Sequence, residues 1–353
     1  MLGVDSRAAR AAWTVFLVAL AIALFYVIRR TLLIFTVALL LAYLMSPLVN
    51  MVERLTPGRI SRNLALAVVY LALLVLLGAA AAGIGSEVAG QAVTLASRVP
   101  DLIQRLEAPF DLPLPEWVRP VKVSVLAWLK DFVQAHSQEI LGMLQSAGRQ
   151  ALSLLGNLLF VILVPILSFF ILKDGRAIVA SLLDWLEAGP RRSLADDILA
   201  DVNLMLAQFM RALVILCAAT FVFYFAFFAI AGVPYGLLLA TIAGFLEFIP
   251  VIGPLSATAA ILVVAGFAGY QHLLWILIFL GAYRLFQDYV LQPYLMGAGV
   301  ALHPVFIIFG ALAGEQIAGV AGLFLSVPVM AILRVVFVRV MKARQPRPAP
   351  ALS

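Results

Sequence analysis

The sequence is short of what a soluble enzyme uses. It holds one cysteine, Cys217, in 353 residues, which excludes an intramolecular disulfide and any cluster of metal-bound thiolates. Its three histidines, His136, His272 and His303, have no metal-ligand spacing. There is no His-Glu-x-x-His, no Gly-x-Ser-x-Gly and no phosphate loop ending in Lys-Ser or Lys-Thr. The chain therefore reads as neither an enzyme nor an ATP-driven pump, and no cofactor or metal is expected. Charge is scarce as well. Only 12% of residues are Asp, Glu, Lys or Arg, about half the share in an average soluble domain.

What fills the space is apolar. Hydrophobic residues make up 64% of the chain, and the mean hydropathy is +1.09. Runs near the length that a hydrocarbon core demands recur at 12–27, 31–49, 64–84, 151–172 and 212–231. The pattern predicts an all-α polytopic membrane protein with about eight hydrophobic segments. The net charge of +6 does not point to nucleic acid. The basic residues are scattered at span ends, where they set orientation or touch anionic lipid headgroups.

Four regions follow. Residues 1–85 carry the first spans, the second of them ending at Ser46-Pro47. Residues 86–150 bring back charges of both signs and two amphipathic helical patterns split by four prolines, so a small extramembrane helical module is expected there. Residues 151–341 form a membrane core, and 342–353 a disordered, proline-rich tail. The most basic connections, at 50–63, 173–211 and beyond Arg334, place both termini in the cytoplasm.

One stretch organises the rest: Glu247-Phe248-Ile249-Pro250-Val251-Ile252-Gly253-Pro254, inside an apolar run from Gly236 to Ala268. Two prolines and a glycine break the helix there. The freed backbone groups must then face protein or a water-filled cavity, because lipid cannot satisfy them. Glu247 sits at the break, and an acid at membrane depth is a functional candidate by default. Two structural readings compete with that role: a cap on a half-helix N-terminus, or a pair with Arg284. An echo follows. Pro234 leads to Gly244 and then Glu247; Pro304 leads at the same spacing to Gly314 and then to Glu315 and Gln316. Paired interrupted segments point to a transport site. Residues 234–269 and 304–335 either cross once, kinked, or fold back as hairpins. The crossing scheme is favoured, with breaks in the second segment at Gly314-Glu315-Gln316 and Pro328. Arg284 and Asp288 are four apart and predict a local ion pair. Gln287 and Gln292 either line a cavity or bond between helices. Glu247, Pro250, Gly253, Pro254, Arg284, Gln287, Asp288, Gln292, Gly314, Glu315 and Gln316 are the candidate pathway residues.

These motifs, with Phe169-Phe170-Ile171-Leu172-Lys173-Asp174-Gly175, Gly232-Val233-Pro234-Tyr235, Gln292-Pro293-Tyr294-Leu295-Met296-Gly297, Leu302-His303-Pro304 and the closing run 319–328, occur in an order that resembles the autoinducer-2 exporter-like, PerM-type permease family. The resemblance implies a bacterial inner-membrane permease that forms a ring-like homo-oligomer such as a pentamer. Members have been linked to export of the signal autoinducer-2 and others to sodium/proton exchange. The expected function is gradient-driven export of a small polar solute. A sodium or lithium/proton antiporter and a passive pore or oligomeric scaffold are the alternatives. Membrane lipid, the solute and protons or sodium are the expected partners.

Overall fold

The computed structural model describes residues 6–56, 60–105, 158–186, 188–249, 252–296 and 303–344. These residues are 92% helical, with no strand among them. Pro250, Gly297, the tail from 345 and the 106–150 part of the expected module lie outside the described residues.

Helices α1 (Ser6–Val27) and α2 (Arg29–Leu55) meet at Ile28. The sequence predicts two separate spans here, but the backbone bends at Ile28 without reversing. Ile28 N–H donates to the Leu24 carbonyl at 3.0 Å and Leu32 N–H to that of Ile28 at 2.9 Å, so the helical ladder passes over the junction. α2 also runs through Pro47 instead of ending at it. Helix α3 (Arg62–Ala80) continues through a π segment, Ala81–Gly85, into α4 (Ser86–Arg105). The first amphipathic helix expected in 86–150 thus extends a span, joined to it through the π segment.

Helix α5 (Leu158–Asp184) packs on α2 and α3, where Tyr70 and Ser168 share a buried hydrogen bond of 2.5 Å. Helix α6 (Pro190–Ala231) starts with a proline in its first turn and stops at Gly232, whose φ of 67° is a left-handed cap. Its 42 residues reach about 63 Å, roughly twice the hydrocarbon thickness. The polar first half, with Arg191, Arg192, Asp196, Asp197 and Asp201, therefore stands clear of the lipid core.

Two helical hairpins follow, the alternative to the single kinked crossings that the sequence favours. The first is α7 (Gly236–Leu246) and α8 (Ile252–Phe267). Its 11-residue arm spans about 16 Å, only half a bilayer core. The hairpin's far end returns to its start, because the Tyr270 hydroxyl donates to the Ala231 carbonyl at 2.9 Å. Helix α9 (Leu273–Phe286), a second π segment (Gln287–Leu291) and α10 (Gln292–Met296) come next. Then α11 (Pro304–Arg344) breaks at Ala318 and Gly319, with φ/ψ of −140°/17° and 60°/−139°. Gly314 lies against the backbone of Gly322, and Gly310 against Ser326 and Met330. Along one helix, eight residues span about 12 Å, so these contacts require a reversal. Glycine is what lets the backbones touch. The break thus falls just after Gly314-Glu315-Gln316, and the helix passes straight through Pro328.

Among the described residues five helices are long and apolar enough to cross a membrane: Thr31–Leu55, Arg62–Leu95, Pro190–Ala231, Leu273–Leu295 and Val305–Arg344. The last is the folded-back pair of arms. At its end Arg339 makes a bidentate bond to Asp201, Nε to Oδ2 at 2.6 Å and Nη2 to Oδ1 at 2.9 Å, and reaches Asp197 at 3.4 Å. This ties the hairpin's long arm to the polar half of α6.

Candidate transport site

Helix α6 presents Leu213, Cys217, Thr220, Tyr224 and Phe228 at helical spacing, and all five are buried. Helix α7 runs antiparallel against this face. A Cβ on Gly236 would lie 2.8 Å from the Phe228 Cβ, and one on Gly244 would lie 3.2 Å from the Cys217 carbonyl oxygen. Two glycines eight residues apart therefore seat α7 directly on α6. That approach delivers the residue after α7, Glu247, to the level of Thr220.

Helix α9 supplies the opposite wall. Ile276, Leu280, Tyr283 and Gln287 form one buried stripe, apolar at the start of the helix and polar at its end. The Gln287 side-chain N–H donates to Glu247 Oε1. The Thr220 hydroxyl donates to Glu247 Oε2 across a long 3.4 Å, and lies 3.0 Å from the Tyr283 hydroxyl. Thr220 has one hydroxyl proton. If it goes to Glu247, Tyr283 must donate to Thr220, giving a short relay that ends on the carboxyl. Beside the relay sit Tyr224 and Phe279, with the Tyr224 ring 5.1 Å from that of Tyr283 and 5.4 Å from that of Phe279. Ring pairs of this kind contribute about 0.5–1.5 kcal/mol each beyond area burial, so the wall behind Glu247 is stiff.

Glu247 is only 9% exposed. Its contacts are neutral donors, and no ion pair among the described residues reaches it. Arg284 Nε lies 2.9 Å from Asp288 Oδ2, as the four-residue spacing predicted, and its Nη1 is buried with no hydrogen-bond partner among the described residues. Gln292 extends that line, 3.3 Å from Asp288 Oδ1. Glu247 is the C-cap residue of α7, and among the described residues its carboxyl bonds Gln287 and Thr220 and makes no ion pair with Arg284.

The structure brings Glu247 and Gln287 into contact and places Arg284, Asp288 and Gln292 on the same helical element as Gln287. Gly253 and Pro254 open α8, and a side chain on Gly253 would collide with the Leu246 carbonyl. That collision explains the glycine at the fold-back. Glu315 and Gln316 do not join this cluster. They are exposed, next to the tip of the second hairpin. Thr220 and Tyr283 were missed. Their signal was spacing: Cys217, Thr220 and Tyr224 recur on one face of an otherwise greasy run, as do Tyr283 and Gln287. A pocket of about 290 Å³ lined by Phe227, Ala231, Tyr270, His272 and Trp275 lies about two to three turns of α6 away from Thr220 and holds none of these groups. No group of three or more His, Cys, Asp or Glu among the described residues is placed to hold a metal.

Five helices long and apolar enough to cross a membrane among the described residues mark a multi-pass membrane protein. Residues 15–342 match the AI-2E family transporter family, and the chain belongs to it. Similar proteins include "Putative transport protein YueF" of Bacillus subtilis (strain 168), 26% identical over 325 residues, which covers 88% of this chain and 85% of that one. "Putative transport protein YrrI" of the same organism is 28% identical over 181 residues, 51% of each chain. A third, "Putative transport protein MT0215" of Mycobacterium tuberculosis (strain CDC 1551 / Oshkosh), is 38% identical over 104 residues, 29% of this chain and 28% of its own. The protein is a membrane permease.

Proposed function

We propose that this permease is a gradient-driven exporter of a small polar solute, seated in the inner membrane of a bacterium as a homo-oligomer with both termini cytoplasmic. The observation that carries the reading is the seat of Glu247: buried, at a helix break, and hydrogen-bonded among the described residues to uncharged donors. A bare carboxylate in such surroundings is costly unless it is paired. Taking up a proton or a small cation relieves that cost, and releasing it on the other side couples the site to a gradient. Both oxygens of the charged carboxyl accept, from Gln287 and Thr220. Once protonated, it can turn one of those contacts into a donation, so the seat survives the change of charge. The family's name supports autoinducer-2 as the first solute to try.

Sodium/proton antiport has an observation of its own. The Glu247 oxygens and the Thr220 and Tyr283 hydroxyls form a cluster of hard oxygen ligands, the kind that suits alkali and alkaline-earth ions. Proteoliposomes loaded with a pH dye separate the two. Proton release driven by external autoinducer-2 but not by sodium or lithium supports solute exchange; release driven by the ions alone supports antiport. Passive leak with neither coupling contradicts both.

A further inference from the structure

We propose that Gln91, far from Glu247 in sequence, is a positioning residue for that site: it clamps the start of α7 to α4 and lets α4 set where Glu247 sits. The proposal rests on the reading that Glu247 lies on the transport path.

The first N–H groups of any helix lack partners inside it. On α7 the preceding residue, Tyr235, is itself left-handed and supplies no side-chain cap. The missing acceptor comes from another element. Gln91 Oε1 takes the Leu238 N–H at 3.0 Å, and the Gln91 amide reaches back 3.3 Å to Glu87. A carboxylate is thereby held one bond away from the positive end of the α7 dipole, where negative charge is favoured. Around the bond, Ala92 and Leu95 of α4 bury against Leu238, with Val88, Tyr235, Ile242 and Val264 packed beside them. The α7 arm of the hairpin thus seats on α4, with Val264 of α8 packed against the same cluster. The other end of α7 is Glu247, bonded to Gln287. A half-helix of 11 residues is a rigid rod of about 16 Å, pinned by one glutamine at each end.

Both pins stand on yielding ground. Gln287 opens the second π segment, and Gln91 lies one and a half turns beyond the first, Ala81–Gly85. Such insertions mark functional sites and bend helices locally. The first interrupts the helix between the spanning part of α3 and α4. Swinging α4 about that segment pulls on Leu238 and, through the rod, moves Glu247 against Thr220 and Gln287. The extramembrane end of α4 is then a handle on the carboxyl.

The test uses the full chain in proteoliposomes. Q91L removes the acceptor and keeps the bulk; Q91E paired with E87Q restores an acceptor oxygen without adding net negative charge. Three quantities are read: amide exchange over 237–239 against the α9 amides 276–280, maleimide labelling of I252C with Cys217 replaced, and the rate and KM of autoinducer-2 movement. Q91L is expected to speed exchange at 237–239 by about tenfold, the cost of one orphaned buried donor, and to leave 276–280 protected. It should shift the labelling rate of I252C and lower the maximal rate with KM unchanged. The Q91E/E87Q pair should recover all three. Parental exchange at 237–239, or loss of protection spread equally into α9, overturns the proposal. Full transport in E247Q would sink the site reading instead. The exchange and labelling results would still decide whether Gln91 holds the hairpin.

Discussion

Glu247 and Gln287, 40 residues apart, are joined by a hydrogen bond between the end of a half-helix and the first residue of a π segment. The bond lies where two backbone irregularities face each other, and it satisfies one oxygen of a buried acid. Removing the amide leaves that oxygen without its donor. Q287L is expected to slow gradient-driven flux by about ten- to a hundredfold, the range for losing a bond to a charged group. Initial rates in proteoliposomes of matched protein content check this.

The two fold-backs make a prediction about sidedness. In the second hairpin Gly314 meets Gly322 and Gly310 meets Ser326 across the turn at Ala318–Gly319, and continuing that antiparallel pairing brings His303 to about the level of Arg334. A single kinked crossing would put them on opposite faces. H303C and R334C, each made with Cys217 replaced, should both label with a membrane-impermeant maleimide from the same side. P234C and Q271C should likewise agree with each other across the first hairpin.

Gly314 and Gly322 touch through their backbones, and a Cβ on either overlaps the other. G322A is expected to destabilise the protein by about 1–3 kcal/mol, the usual cost of overpacking. Gly281 is the control, since a Cβ there meets nothing within 4 Å. G281A should be neutral or slightly stabilising, because alanine suits a helix better than glycine does. Thermal melting in detergent compares the two.

The clamp between Arg339 and Asp201 lies beyond the hydrocarbon and gives a pH dependence. The Arg339 guanidinium, bonded to Asp201, holds that carboxyl below its ordinary range. A carboxyl depressed in the folded state stabilises the fold above its unfolded value near 4. That contribution disappears as pH falls through the folded value. The parent should therefore lose melting temperature below about pH 4 more steeply than D201N, which lacks the titrating group. R339K should lose most of the effect at all pH values, since an ammonium cannot make the paired bonds.

The helix break at 247–254 was legible because proline and glycine act locally, and the Arg284–Asp288 pair because four-residue spacing is a property of the helix itself. The reversal at Ala318–Gly319 was not. Gly-Glu-Gln and Pro328 look like stronger breakers, and only the contact of Gly314 with Gly322 makes an ordinary Ala-Gly the turn. The runs 12–27 and 31–49 read as separate spans, yet hydrogen bonds across Ile28 carry the helical ladder from one to the other. Thr220 and Tyr283 were hidden for another reason. Each sits in an apolar run where a lone hydroxyl is unremarkable, and their role appears only when α6, α7 and α9 are brought together.

Glu247 carries whatever couples transport to a gradient in the proposed function. The direct measurement is the initial rate of proton-coupled autoinducer-2 movement in proteoliposomes holding E247Q, with E315Q as the comparison and melting curves to show that both are folded. E247Q is expected to lose at least about 90% of the coupled rate, a tenfold effect or about 1.4 kcal/mol, while E315Q keeps most of it. A folded E247Q that moves protons and solute at the parental rate would contradict that role.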